Sequence, residues 1–583
     1  MRFRILTALC PALLLLGFAW TLAGLRAPLP TGDEATSVLM VQSLWHDHDA
    51  AFREADLARA AKIWDGGPAG LTLFTNDGGK TLRYGRPLAY PLAALPFYGV
   101  LGVRGIALFN MALFLAMAGA GLWLLKEETG LAGLFVAGFF FASAALAYAF
   151  RMEPEVFLMA CAFFPLLLWQ RLRSLPDLPD WRRRHLAGLA AAGALVGAAL
   201  TSSPLLAVLG VPVLIDLALR RRFRGVLVFL AGLLLAAGAL TLLQRVGTQE
   251  WTPFGGAQRR TFTDEFPLES PRDLWQGYRG ESGEPVDGTA GLKLLPGNLV
   301  YLLAGRYTGL LPYFPFALFA LALYLLGSKD RSRHLLLAAL AVYVLAVLIA
   351  HPRGFTGDPG FLGSRYLALA YPAFLFLPGR ISARRSLALP YAAAGLWTAA
   401  AVAGSLARLA PEAPLQLHAQ APAFQRLPLE LTLLAADRLP GYVTQTWGDA
   451  LWIFPRWSFF AEERHPHGVW ARGGTRSEVI VVSPKPLSRL RFLAYSLAED
   501  NDLLLTSNVD RFRVRFDTEG KRNGTPVELA AEPVAHDLGL LPRGSFYRFT
   551  LETTGGLVPA RHSRRSPDPR NLGVFLDFTG EGY

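Results

Sequence analysis

The chain has 583 residues, 52% of them hydrophobic and 17% charged, with a formal net charge of +12 and a mean hydropathy of +0.32. A water-soluble protein of this length carries more charge, so the composition excludes an ordinary soluble enzyme and points to a chain that crosses a membrane repeatedly. The positive charge sits in short loops rather than on one basic face, which argues against nucleic-acid binding.

In chain order, the apolar runs are Ile5–Leu25, Ile106–Leu125, Leu131–Phe150, Val156–Trp169, Leu186–Leu200, Leu205–Leu219, Val226–Leu243, Leu310–Leu326, Leu335–Ala350, Tyr366–Leu377 and Leu387–Leu406. Most approach the roughly 20 residues needed to cross hydrocarbon, which predicts an α-helical polytopic protein of about eleven spans. Arginine-rich loops fall between them: Arg2 and Arg4; Arg171, Arg173 and Arg182–Arg184; Arg220–Arg222 and Arg224; Lys329, Arg331 and Arg333; Arg380, Arg384 and Arg385. With a cytoplasmic N-terminus and alternating spans, all of these lie on the inner side. The loops at about 27–87, at Arg151–Glu155, and at about 247–300 and 351–365 then face outward, as does everything after about Ala410. The expected organisation is a membrane domain, 1–409, followed by an external domain, 410–583. Met1–Ala27 also has the basic start and apolar stretch of a cleavable signal, but an uncleaved first span tethers the loop that follows it. Cys10 and Cys161 both fall in apolar runs, so no disulfide framework is expected.

Within the first external loop, Thr36–Trp45 and Leu57–Trp64 space their apolar residues as helices do, which predicts short amphipathic helices on the membrane surface. After Ala410 the segments Gly441–Phe454, Glu478–Ser483, Leu490–Ser496, Asn501–Thr506, Phe512–Phe516, Ser545–Leu551 and Leu572–Phe578 are short, rich in β-branched and aromatic residues, and separated by turn residues. They predict an all-β sandwich. Trp447, Trp452, Trp457, Phe459, Phe460 and Trp470 open it as an aromatic cluster. Such a cluster serves either as core with membrane-facing rings or as a surface that stacks sugars.

The candidate chemistry begins at TGDEATSVLMVQSLWHDHDA, residues Thr31 to Ala50, directly after the first apolar run. Asp33 and Glu34 can be a solvated helix cap, since Thr-Gly-Asp starts helices well. In this setting the segment resembles the first external loop of the GT-C glycosyltransferase superfamily, in which protein O-mannosyltransferases and lipid A aminoarabinose transferases share an Asp-Glu pair. KTLRYGRPLAYPLAALP (Lys80–Pro96), YLLAGRYTGLLPYFP (Tyr301–Pro315) and GSRYLALAYP (Gly363–Pro372) are similar to segments of uncharacterised bacterial members. The resemblance implies a polytopic enzyme that takes a sugar from a polyprenyl-phosphate donor. It makes Asp33 the base and gives Glu34 an orienting or tuning role.

Glu153 and Glu155, in FRMEPEVF, form a second external acidic pair; Pro154 separates them, and Glu155 fits better because it starts the next span. Arg306 and Arg365 lie at external ends of apolar segments and are the candidates for the donor phosphate, which guanidinium groups bind with paired hydrogen bonds. Snorkelling to lipid headgroups is the alternative for both. His351, Arg353 and Tyr366, and Lys80, Arg83 and Arg86, are secondary candidates. No metal constellation is expected and no cofactor is required, although external carboxylates could hold Mg²⁺ or Mn²⁺. His46–Asp49 reads as a polar helix end, because successive helical residues point different ways.

The expected function is an inverting membrane glycosyltransferase acting at the external face. Its partners would be the polyprenyl-phosphate donor, the bilayer and a glycolipid, polysaccharide or protein acceptor. A transporter or flippase of lipid-linked saccharide is the alternative, but such proteins keep charge near the bilayer midplane, and here the acids lie outside. The other alternative, a non-catalytic glycan-binding protein, has far more spans than an anchor needs.

Overall fold

A computed structural model describes residues 32–63, 70–77, 80–125, 132–173, 183–251, 259–261, 288–327, 330–357, 362–378, 391–398, 422–436, 438–439, 441–460, 468–498, 501–516, 524–534, 544–562 and 566–578. The chain divides into two compact units. The first comprises Met1–Gly288, Val300–His351 and Phe355–Leu429; the second comprises Thr289–Leu299, Pro352–Gly354 and Glu430–Tyr583.

In the first unit, five helices among the described residues are long and apolar enough to cross a membrane: Val103–Leu125, Glu155–Arg173, Arg183–Ser202, Phe223–Thr248 and Arg331–Ala350. At 1.5 Å per residue, a 23-residue helix such as Val103–Leu125 reaches about 35 Å. Glu155–Arg173 is the most enclosed of the five, while Phe223–Thr248 leaves Leu234, Leu235, Leu242 and Val246 exposed. An apolar helix that turns such side chains outward is suited to hydrocarbon rather than water. Arg183–Ser202 and Phe223–Thr248 run parallel in backbone contact. A Cβ on Gly193 would meet the Phe229 carbonyl oxygen at 2.0 Å, and one on Gly232 would meet that of Ala190 at 2.1 Å. Only glycine permits that approach.

Several apolar runs expected as single spans are broken. Leu131–Phe150 becomes Ala132–Phe141 and Ala145–Ala149, and Leu205–Leu219 becomes a 3-10 turn, Pro204–Gly210, leading into Val211–Leu219. Leu310–Leu326 is divided at Phe314, before Pro315, and Tyr366–Leu377 becomes Arg365–Ala370 followed by a 3-10 turn over Tyr371–Phe376. Proline removes a backbone donor and clashes with the preceding turn, which accounts for the breaks at Pro212, Pro315 and Pro372. Ile5–Leu25 lies outside the described residues, and of Leu387–Leu406 only 391–398 is described.

The first long loop does hold two helices, and Glu54–Ala61 buries one face through Asp56, Leu57 and Ala60, but the earlier helix is not amphipathic. The helix Gly32–His46 buries every residue from Ala35 to Ser43, so it packs on all sides instead of floating one face on lipid. Around it lies a four-stranded antiparallel sheet made of β1 (Ala51–Phe52), β2 (Thr72–Phe74), β3 (Leu82–Tyr84) and β4 (Arg259–Thr261), in the order β1-β3-β2-β4. β2 pairs with β4 through Leu73 and Arg260, so two segments distant in sequence share one sheet.

The second unit carries two antiparallel sheets. One is ordered β13 (Thr525–Ala530), β10 (Arg489–Ser496), β15 (Leu572–Asp577), β8 (Gly468–Arg472), β7 (Phe459–Phe460). The other is ordered β12 (Arg511–Arg515), β11 (Asp502–Thr506), β14 (Ser545–Thr553), β9 (Arg476–Ser483), β6 (Ala450–Pro455), β5 (Tyr442–Trp447). Their inward residues, among them Leu490, Phe492 and Leu576 from one sheet and Trp452, Val481 and Phe549 from the other, form one cluster. This is a sandwich core. Trp447, Trp452, Phe459 and Phe460 are buried, and the Trp447 ring stacks on Phe578 at 4.2 Å. Trp447, Trp452 and Phe459 belong to the core, which removes them from any sugar-stacking surface, while Phe460 has Arg472 and Arg570 over its ring.

Candidate active site

Three segments of the first unit bring the predicted acids together: the start of Gly32–His46, the turn before Glu155–Arg173, and the turn leading into Arg365–Ala370. Asp33 is 5% exposed, and its two oxygens go to different arginines. Oδ2 accepts from Arg365 Nη1 at 2.6 Å, and Oδ1 pairs with Arg86. Arg365 also donates from Nε to Glu155 Oε1 at 2.6 Å, with Nη2 on the same oxygen. One guanidinium therefore joins two carboxylates, and each contact is a charge-assisted hydrogen bond.

The arginines are themselves positioned. Arg86 donates to the Thr72 hydroxyl at 3.2 Å. The Thr72 N–H donates to the Thr36 hydroxyl at 3.0 Å, and that hydroxyl donates to the Gly32 carbonyl at 2.9 Å. This chain ties the start of the helix to β2. On the other side, Ser364 caps Arg365–Ala370: its hydroxyl accepts from the Leu367 N–H and donates to the Phe355 carbonyl at 2.6 Å. The Arg365 N–H donates to the Thr356 carbonyl at 2.7 Å. Gly357, at φ +90°, lies against the Arg365 stem; a Cβ there would come within 2.6 Å of the arginine Cβ. His351 stacks on Tyr366 with ring centroids 5.0 Å apart, and burial pushes its imidazole below the usual range.

Glu34 and Glu153 flank this cluster. Glu34 Oε1 accepts from the Met152 N–H at 2.9 Å. Burial pushes its carboxyl above the ordinary range and Glu155 adds to that, against Arg151 and the Met152 N–H. Glu153 is buried and lies 3.3 Å from Arg151. Burial first, then Glu155 and Glu34, hold it well above the ordinary range despite the two nearby arginines. The turn is anchored by a residue that sequence reasoning missed. Asn110 Nδ2 donates to the carbonyls of Arg151 at 2.6 Å and Glu153 at 2.8 Å, and lies 3.1 Å from the Tyr90 hydroxyl. A lone amide inside the apolar run Ile106–Leu125 was the available signal.

Arg306 is also held by the backbone. It is 2% exposed, and its Nη2 donates to the carbonyls of Gln425 at 3.1 Å and Leu427 at 3.5 Å. The His46–Asp49 residues also disperse to separate partners: His46 to the Tyr98 hydroxyl, Asp47 to Arg59, and Asp49 to the Ala51 N–H and Arg53. Among the described residues no group of three His, Cys, Asp or Glu side chains is placed to hold a metal.

A cavity of about 210 Å³ opens where Pro87 and Ala89 follow Arg86, and is walled by Leu200, Leu240, Gln244 and Trp251. A second, of about 520 Å³, lies among Leu311, Phe319, Ala394 and Trp397 and has no titratable residue in its lining.

No protein-family model and no curated protein matches the chain. Two solved structures are similar to it. One is the crystal structure of ArnT from Cupriavidus metallidurans in the apo state, with a TM-score of 0.38 and 14% identity over 74% of each chain. The other is the same protein bound to undecaprenyl phosphate, with a TM-score of 0.37 and 15% identity over 73% of each chain.

Proposed function

We propose that this chain is an inverting glycosyltransferase of a bacterial inner membrane, with its N-terminus cytoplasmic and its sandwich outside. It moves a sugar from a polyprenyl-phosphate donor to a cell-envelope acceptor at the external face. The observation that carries the reading is the Asp33 carboxylate, shared between Arg365 and Arg86 with Glu155 behind Arg365. Transfer to a hydroxyl or amine needs a base beside the acceptor and positive charge beside the departing phosphate. In this reading Asp33 supplies the base and its two arginines supply the charge. Asp33 takes the acceptor proton, the acceptor attacks the anomeric carbon, and the carrier phosphate leaves toward Arg365 and Arg86. The cavity beside Pro87 offers the carrier's first isoprene units an apolar wall. Arg306, whose Nη2 is held by the Gln425 and Leu427 carbonyls, is the second candidate for the phosphate.

Asp33→Asn tests it directly. Transfer from a polyprenyl-phosphate sugar is expected to fall by about 100-fold or more, with the variant still expressed and folded but unfolding at a lower temperature, since its two arginines lose their buried counter-charge. Undiminished transfer would remove Asp33 as the base.

A further inference from the structure

Resting on that reading, we propose that Arg365 is a latch on Asp33 which the donor phosphate opens, so that the base becomes available only once the donor is seated. Asp33 is buried, and Arg365 and Arg86 each hold one of its oxygens. A carboxylate engaged in this way is a poor proton acceptor until one arginine leaves. The two sides of the Arg365 fork are unequal. Nε and Nη2 both lie on Glu155, and only Nη1 reaches Asp33. Glu155 can therefore keep the guanidinium in the site while Nη1 changes partner.

A phosphate oxygen is the natural new partner, because it offers a full charge and matches the donor geometry of guanidinium. Gly357 fits this role too: its missing side chain leaves the Arg365 stem in direct contact with backbone rather than wedged against a Cβ. Once Nη1 moves to the phosphate, Asp33 Oδ2 accepts the acceptor's proton. The acceptor oxygen or nitrogen then bonds to the anomeric carbon, and the bond from that carbon to the phosphate oxygen breaks, its electron pair leaving on the polyprenyl phosphate. Glu155 is in this scheme a positioning residue, acting through Arg365. A site built this way keeps its base masked while no donor is bound.

The test uses the full-length protein in nanodiscs, a hydrophobic carbodiimide that labels protonated carboxyls, and peptide mass spectrometry at Asp33. The probe is undecaprenyl phosphate, the lipid in the second ArnT structure, with its binding followed by native mass spectrometry. In wild type, adding it is expected to raise Asp33 labelling by about tenfold or more, because Asp33 loses its hydrogen bond from Arg365 and gains a negative phosphate nearby, each of which raises a carboxyl's protonated fraction. Undecaprenol, which lacks the phosphate, is expected to leave labelling unchanged. Arg365→Gln is expected to label at the raised level without lipid and to ignore the probe. Arg365→Lys, which keeps the charge without the fork, should fall between, and it covers the case in which the glutamine variant fails to fold. Glu155→Gln should weaken the phosphate response, with Glu155→Asp partly restoring it.

Labelling that stays flat while undecaprenyl phosphate is bound overturns the latch but leaves the glycosyltransferase reading intact, as does an equal rise with undecaprenol. Failure of wild type to bind undecaprenyl phosphate overturns both.

Discussion

The Glu34 carboxylate accepts the backbone N–H of Met152 at 2.9 Å, fastening the helix that carries Asp33 to the turn that carries Glu153. Since burial already pushes Glu34 toward its neutral form, the amide of Glu34→Gln should serve as acceptor almost as well. Glu34→Ala leaves the Met152 N–H unpaired and should cost about 1–3 kcal/mol. Thermal unfolding of the two variants in detergent separates them. Transfer activity is expected to follow the same order.

Asn110 ties the turn from the opposite side, through the carbonyls of Arg151 and Glu153. Asn110→Ala strands both acceptors in a buried place and is expected to destabilise by about 1–3 kcal/mol. Asn110→Asp should be worse, because it aims a carboxylate at two carbonyl oxygens. The check is the unfolding midpoint of each variant, together with protease sensitivity of the turn.

Glu153 supplies a pH dependence. Its folded-state carboxyl is held well above the ordinary value of 4.5, so above pH 4.5 the unfolded chain releases a proton that the folded chain keeps. Stability from this group is therefore undiminished at low pH, falls as pH rises past 4.5, and levels off only beyond the folded-state value. Glu153→Gln removes that loss. The variant should unfold at a higher temperature than wild type at pH 8, and the gap should close toward pH 5.

Gly357→Ala puts a Cβ at a φ of +90° and against the Arg365 stem. Backbone strain of about 1–3 kcal/mol is expected, and Arg365 must shift. Binding of undecaprenyl phosphate and transfer should both drop, while the far end of the membrane unit, where Arg173 pairs with Asp330, should be unaffected. Hydrogen exchange resolved by region measures that contrast.

The acids of this site were legible because a carboxylate just beyond an apolar run is cheap only when it meets water or a partner. Arg365 was legible for the same reason, at the end of another run. Their pairing was not legible: Asp33 and Arg365 are 332 residues apart, and nothing local records which cation meets which acid. Arg86 stood as one of three equivalent basic residues until the fold placed it on Asp33. In the sandwich, strands with clear alternation such as β9, β10 and β14 could be read directly. β7 has only two residues and β13 contains Pro526, so neither carries a strand signal of its own. The helix Gly32–His46 was misread as amphipathic because its polar positions, Thr36, Ser37, Gln42 and Ser43, are buried too. β4 escaped notice because three residues in a Gly- and Pro-rich loop become a strand only when β2 is there to pair with them.

The separation of 332 residues also imposes an order on biosynthesis. Chains emerge from the N-terminus and their parts fold as they appear. Asp33, Glu34, Glu153 and Glu155 are all made before Arg365. A nascent chain stalled in between holds four acids with Arg86 and Arg151 as their only cations from this cluster. Such an intermediate carries acids in excess of their partners. Only the arrival of Arg365 gives Asp33 and Glu155 the cation that they share.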